Sequence, residues 1–350
     1  MSSDLTGLLE PVASCAGMRA LAWSGDILYA SRGYDLMGLQ LPGQSPSLTW
    51  KAAAKFHPNL WRKLSVRNRL AARLFRDGFH ALAVSNHGRL VAAVPGAIVA
   101  CAENEAEFRV THSITRGTRP LHISSIPDGA LYWGEYFDNP SRDEVHIYGS
   151  QDGGEKWDVA YTFPKGAIRH IHNIVHDQWE KCLWVFTGDN GDECRILRAS
   201  YDFSRVETVL RGKQQVRAVA AIPSEEGLYL SSDTPLETNH IYLLDRQRKL
   251  SVLHPISSSS ISGCQAAGHL FFSTMIEPSA ANPDRHIRLY GGKGREWAEL
   301  SAWEKDKWPM RFFQFGNALL PDGNNTTKYL AVTTVASEND AMYLYSINSK

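Results

Sequence analysis

Residues 119–163 read RPLHISSIPDGALYWGEYFDNPSRDEVHIYGSQDGGEKWDVAYTF, and the fold turns on them. A strand-like HISSI is followed by the turn Pro127-Asp128-Gly129, then LYWGEY, EVHIYGS, a tight turn and WDVAYTF. Short β-rich runs separated by Pro, Asp and Gly are the signature of antiparallel strands joined by hairpins. The same order restarts at Arg169 with HIHNIV, LWVFTGD, CRILRAS and RVETVLR, and at Arg217 with AVAAIP, LYLSSD, HIYLLD and KLSVLH. Further copies begin near residues 260 and 310, and MRALAWSGDILYASRG and FHALAVSNHGRLVAAVPG open two more upstream.

A four-strand unit recurring at roughly 40 to 50 residues is a propeller period. The repeat therefore predicts an all-β, seven-bladed β-propeller with four-stranded blades in one domain over residues 1–350, with blades starting near residues 18, 79, 119, 168, 216, 260 and 310. The last unit runs out after three strands, so residues 6–14, LTGLLEPVA, are expected to supply its outer strand and close the ring. Such closure protects sheet edges. Between the first two units NLWRKLSVRNRLAARLFR places Leu60, Leu64, Leu70 and Leu74 at helical spacing, which predicts one helical insertion near residues 56–76.

Composition excludes several function classes. Lys plus Arg and Asp plus Glu are equal at 37 each, which argues against nucleic acid as a partner held by bulk charge. No transmembrane run is present, and Asp4, Glu10 and Pro11 interrupt the start where an export signal is apolar; the expected location is cytoplasmic. Five widely spaced cysteines without a CxxC pair read as reduced thiols. Phosphate-cradling, serine-elbow and HExxH motifs are missing. Arg62, Lys63, Arg67, Arg69, Arg73 and Arg76 beside Trp61 and Phe75 leave two readings of the insertion, peripheral membrane contact or a solvated helix.

The turn Ser150-Gln-Asp152-Gly-Gly154-Glu-Lys-Trp157 matches the pattern S-x-D-x-G-x-x-W. On that match the chain resembles the sialidase-like propellers with BNR repeats, whose Asp-box sits on this hairpin; Ser200-Tyr-Asp202 and the turn ending at Trp297 look like worn copies. The resemblance implies a propeller and a structural role for the box. It does not extend to a sialidase active site, because the early Arg-Ile-Pro motif is missing and Glu135 and Tyr136, adjacent on a strand, face opposite ways.

Arg119, Arg169, Arg217 and Arg311 stand at the starts of inner strands, while Glu135, Tyr136, Asp189, Asp233 and Glu277 end second strands. In a propeller these positions share one face, so cations and carboxylates gather there. Guanidinium groups suit a carboxylate or phosphate ligand, and an ion-pair network is the alternative. The repeat places His122, His172 and Gln314 at one depth, a set that admits a divalent metal, manganese or calcium, and resembles the metal set of oligogalacturonate lyases. His170 or His172 is then a candidate base, and His240 a rim residue.

These residues predict a carbohydrate-active enzyme, a glycoside hydrolase or polysaccharide lyase, acting on an acidic oligosaccharide or polysaccharide. The alternative is a non-catalytic propeller that binds a glycan or a protein and is linked to polysaccharide metabolism.

Overall fold

The computed structural model describes residues 5, 7–41, 48–85 and 88–348. Its secondary structure is almost entirely β-strand. Middle strands such as Leu90–Val94, Ala97–Cys101 and Cys182–Thr187 are buried along their whole length, which is why they read as continuous apolar runs. Outer strands such as Arg109–Ser113 are mostly exposed and carry the polar residues.

The chain divides into two compact units, one of residues 1–78, 235–242 and 252–350, the other of residues 79–234 and 243–251. The second unit contains the antiparallel blades Ala81–Val84/Leu90–Val94/Ala97–Cys101/Arg109–Ser113, Ser124–Ser125/Leu131–Gly134/Val145–Ser150/Asp158–Phe163 and Ile171–Asp177/Cys182–Thr187/Arg195–Ala199/Val206–Arg211. A further four-stranded sheet begins with Ala218–Pro223 and Gly227–Ser232. In the first unit, Arg19–Gly25, Ile27–Arg32, Asp35–Gln40 and Lys51–Lys55 form a blade that gains Asp322–Asn325 as a parallel fifth strand beside Arg19–Gly25.

The expected seven separate blades are not what forms. Five blades stand, four of them four-stranded and one extended by Asp322–Asn325, and the remaining strands run on as one eight-stranded sheet. The join lies where His269–Ile276, an eight-residue strand, outruns its blade and pairs Met275 and Ile276 with Asn317 and Gly316. At Gly316 a Cβ would meet the Lys305 side chain at 3.0 Å and that of Ile287 at 3.3 Å, so glycine leaves room for those two side chains beside the join. A repeat period counts units but does not report whether neighbouring units also share hydrogen bonds.

Leu9–Ala16 pairs antiparallel with Ala341–Ile347, from Leu9 opposite Ile347 to Ala16 opposite Ala341. Thr6, in the segment expected to form this strand, lies outside the described residues.

The single insertion helix is also corrected. Two short helices form, α1 (Leu60–Ser65) and α2 (Arg69–Phe75). The Asn68 side chain accepts the Leu70 and Ala71 amides and starts a new helix instead of continuing the old one. Among the described residues no helix is long and apolar enough to cross a membrane, and all five cysteines are free thiols.

The turn from Ser150 to Trp157 is closed by its own side chains. The Asp152 carboxylate accepts the Ser150 hydroxyl at 2.9 Å and the Glu155 and Lys156 amides at 3.0 Å. The Ser150 hydroxyl in turn accepts the Gly154 amide, and Trp157 Nε1 donates to the Gly154 carbonyl at 3.1 Å. Ser200 and Asp202 repeat the hydroxyl-to-carboxylate contact, and Trp297 donates to Gly294 as Trp157 does to Gly154.

Candidate functional site

The chemistry-bearing residues of the second unit converge around Asp189. His170 immediately precedes Ile171–Asp177 and His172 lies within it, beside a break in the ladder register between Ile171 and Asn173. Asp189 follows Cys182–Thr187. Between strand and Asp189 sits Gly188 at φ +74°, where a Cβ would stand 2.0 Å from the Glu193 carbonyl oxygen. The Gly188 amide donates to the His170 carbonyl, and Gln214 Nε2 donates to the Asp189 carbonyl at 3.0 Å. The backbone that carries Asp189 is thereby fixed on both sides.

The two imidazoles are equally fixed. His170 Nδ1 lies 3.1 Å from the Phe137 carbonyl oxygen, and His172 Nδ1 lies 3.1 Å from that of Ala218. A carbonyl only accepts, so each Nδ1 carries a proton, and in the neutral form of either ring Nε2 presents a lone pair. The two Nε2 atoms stand 3.0 Å apart, and Asp189 Oδ1 lies 3.4 Å from His170 Nε2 and 3.3 Å from His172 Nε2. Three acceptors therefore face one point, with both histidines buried. With both rings neutral, a shared proton or a bound cation would relieve the repulsion among them. Burial pushes His172 down from its ordinary value, against carrying that proton. Burial also opposes charge on Asp189, but where His170 and His172 carry a proton at Nε2, their hydrogen bonds and charge hold its carboxyl well below the usual carboxylate range.

Two guanidinium groups flank the carboxylate. Arg217 Nη2 lies 3.4 Å from both Asp189 Oδ1 and Asp233 Oδ2. Arg169 Nη1 lies 3.5 Å from Asp189 Oδ2, and its Nη2 pairs with Asp138. The Tyr136 ring lies over His170 at 4.4 Å between centroids. Burial, then the negative charges of Asp233 and Asp189, push its phenol up to about 12, with Arg217 and Arg119 opposing; it is an un-ionised hydroxyl at neutral pH. Glu135 points elsewhere, clamped by Arg116 through Nε at 3.0 Å and through Nη2, and accepting the His146 amide at 2.8 Å.

The structure thus brings together Tyr136, Arg169, His170, His172, Asp189, Arg217 and Asp233, with Arg119 close enough for its charge to act on Tyr136. His122 is half-buried in the same unit and is not part of the metal-compatible cluster. Four candidates belong to the other unit. There, Glu277 accepts the Ser259 hydroxyl, Arg311 lies over the Phe312 ring, the Gln314 carbonyl accepts from Arg73 at 3.5 Å, and His240 Nδ1 faces the Thr238 carbonyl at 3.1 Å. Arg116 and Asp138 escaped the sequence reading because they fall outside the repeat positions. The H-x-H spacing was the available signal for the His170–His172 pair.

No protein family matches this chain, and no curated protein matches it in sequence. Many solved structures do match in fold. The chain is similar to the β-propeller domain of Cps50 (Swd1) from Myceliophteria thermophila, at 10% identity and a TM-score of 0.57, covering 97% of this chain and 98% of that one. It is similar to the WD40 β-propeller domain of Doa1, at 8% identity and a TM-score of 0.57, covering 98% of each. A prolyl endopeptidase matches at 13% identity and a TM-score of 0.55, covering 96% of this chain and 51% of that protein. At these identities the likeness shows the fold alone: the protein is an all-β propeller.

Proposed function

We propose that the protein is a carbohydrate-active enzyme of the lyase type, acting on an acidic saccharide at a cation centre formed by His170, His172 and Asp189. The observation that carries this reading is the convergence of two lone-pair nitrogens and a carboxylate oxygen at 3.0 to 3.4 Å. Neighbouring ligands of a six-coordinate ion held at about 2.1 Å stand about 3.0 Å apart, so the spacing fits. Each Nδ1–H bonded to a backbone carbonyl is the outer support expected of a metal-bound histidine. Two imidazoles favour manganese or a similar transition ion over calcium, which prefers oxygen ligands throughout.

Acidic character in the ligand follows from the arginines. Asp138, the partner of Arg169, has a side chain 77% exposed, and such a pair exchanges readily for a ligand carboxylate. Elimination is favoured over hydrolysis by the state of the carboxyls. A glycosidase of the usual kind needs one protonated carboxyl beside an ionised one, whereas Asp189 is flanked by Arg169 and Arg217 and Glu135 is clamped by Arg116. In an elimination, a cation held by His170, His172 and Asp189 would supply Lewis acidity beside Arg169 and Arg217, which pair with a uronate carboxylate and so favour loss of the proton on the adjacent carbon.

Plasma mass spectrometry of the purified protein and of His172→Ala, with a panel of uronate-containing polysaccharides followed by ultraviolet absorbance, tests the proposal. A stoichiometric divalent metal is expected, lost in the variant, with an absorbing unsaturated product whose formation falls at least about a hundredfold. Saccharide binding without turnover would make the protein a binding propeller, and the absence of metal from the wild type would refute the cation centre.

A further inference from the structure

The two insertion helices are built inside out. α1 buries none of its residues, and the one buried residue of α2 is Arg73. What ties the pair to its unit is charge. Arg62 and the Ser65 hydroxyl bond Asp77, and Arg69 bonds Asp340 through Nε at 2.9 Å and the Ser337 carbonyl at 2.7 Å. Arg73 pairs with Asp306 and lies under the Phe313 ring. The apolar residues face the other way. Leu60, Trp61, Leu64, Leu74 and Phe75 are five of the thirteen large apolar side chains that the described residues leave exposed, and Trp61 is 82% exposed.

An amphipathic helix in a globular protein normally buries its apolar stripe, and a concentrated apolar patch in water marks a contact surface. Charge selects the occupant. Lys63, Arg67 and Arg76 are exposed beside the apolar residues, and no acidic residue occurs between residues 57 and 76. A second copy of the chain would set this basic patch against itself. An anionic lipid surface offers negative headgroups around an apolar interior, and tryptophan with basic residues is the composition that seats there.

We propose that α1 and α2 dock the protein on anionic lipid bilayers, with Trp61, Leu60, Leu64, Leu74 and Phe75 entering the headgroup boundary and Lys63, Arg67 and Arg76 facing the phosphates. The proposal is independent of the saccharide reading, because the helix pair shares no residue with the Asp189 site.

Co-sedimentation of the full chain with phosphatidylcholine vesicles, with and without phosphatidylglycerol, tests it. The wild type is expected to sediment with the anionic vesicles alone. The exposed pair Leu60→Ser with Trp61→Ser should abolish binding with an unchanged thermal transition. Lys63→Gln with Arg67→Gln should weaken it about thirtyfold, the loss of two surface charges. No sedimentation with either vesicle, equal binding to both, or a concentration-dependent dimer abolished by Trp61→Ser would each overturn the proposal.

Discussion

At the residue scale the site depends on a glycine with no chemistry of its own. Gly188 has φ +74°, and any Cβ there meets the Glu193 carbonyl oxygen at 2.0 Å. Gly188→Ala must therefore move the backbone that presents Asp189. Strain of this kind costs upward of about 2 kcal/mol. The expected outcome is a lower denaturation midpoint together with reduced metal content; a variant with wild-type midpoint and full metal would mean that the Gly188–Asp189 turn tolerates what its geometry forbids. Much of this site was legible in the sequence. Arg169, Arg217, His170, His172, Asp189, Asp233 and Tyr136 fall at strand starts and ends, and the repeat brings such positions together. What the repeat could not show is which residues pair. Equivalence between repeats grouped His172 with His122 and Gln314, and the ring that meets His172 Nε2 at 3.0 Å is that of His170. Repeat equivalence places residues at one level of a strand, and a hydrogen bond of about 3 Å demands a closer placement than that level conveys.

At the element scale, the hairpin between Ile171–Asp177 and Cys182–Thr187 carries a charge cluster that sets a pH limit. Glu180 accepts Arg248 through both oxygens at 2.7 Å, Arg246 at 2.8 Å and Arg198 at 3.1 Å. Asp177, fully buried, accepts Trp184 Nε1 at 3.0 Å and Arg246 at 2.7 Å. The hydrogen bonds from Arg248, with burial opposing and Arg246 adding, lower the Glu180 carboxyl from 4.5 to about 2. A folded value below the unfolded one stabilises the protein fully above the unfolded value, and the contribution disappears as pH falls from about 4.5 through about 2. Allowing for solvent that still reaches the side chain, this is about 2 kcal/mol. Urea titrations between neutral pH and pH 2.5 are expected to show stability falling most steeply below about 4.5, and Glu180→Gln should flatten that fall. An unchanged slope in the variant would place the acid sensitivity in other carboxylates. None of this cluster was read from the sequence, since Arg246 and Arg248 sit in a hairpin turn with no repeat equivalent to mark them. The insertion shows the opposite case: helical spacing identified its leucines correctly, but Asn68 capping divided the helix and ion pairs reversed the face that packs.

At the scale of the whole molecule, the repeat disclosed the all-β propeller and the pairing of the chain's first strand with its last. It did not disclose the eight-stranded sheet, because the bonds between Met275–Ile276 and Gly316–Asn317 depend on strand length in space and leave no periodic trace. The first strand matters in proportion to what it covers. Leu9–Ala16 bonds along the length of Ala341–Ile347, and Leu8 is part of the apolar cluster with Phe271, Leu330 and Ile347. Deleting residues 1–16 uncovers that edge and opens the cluster, and an unprotected edge strand recruits other chains. The truncated protein is expected to aggregate or to melt at least about 10 °C lower, since each kcal/mol lost moves the midpoint of a protein this size by roughly 2 to 4 °C. Adding a synthetic peptide of residues 1–16 should restore solubility and part of the midpoint by supplying the missing strand in trans. A truncation that melts as the wild type does would show that Ala341–Ile347 is protected without its partner.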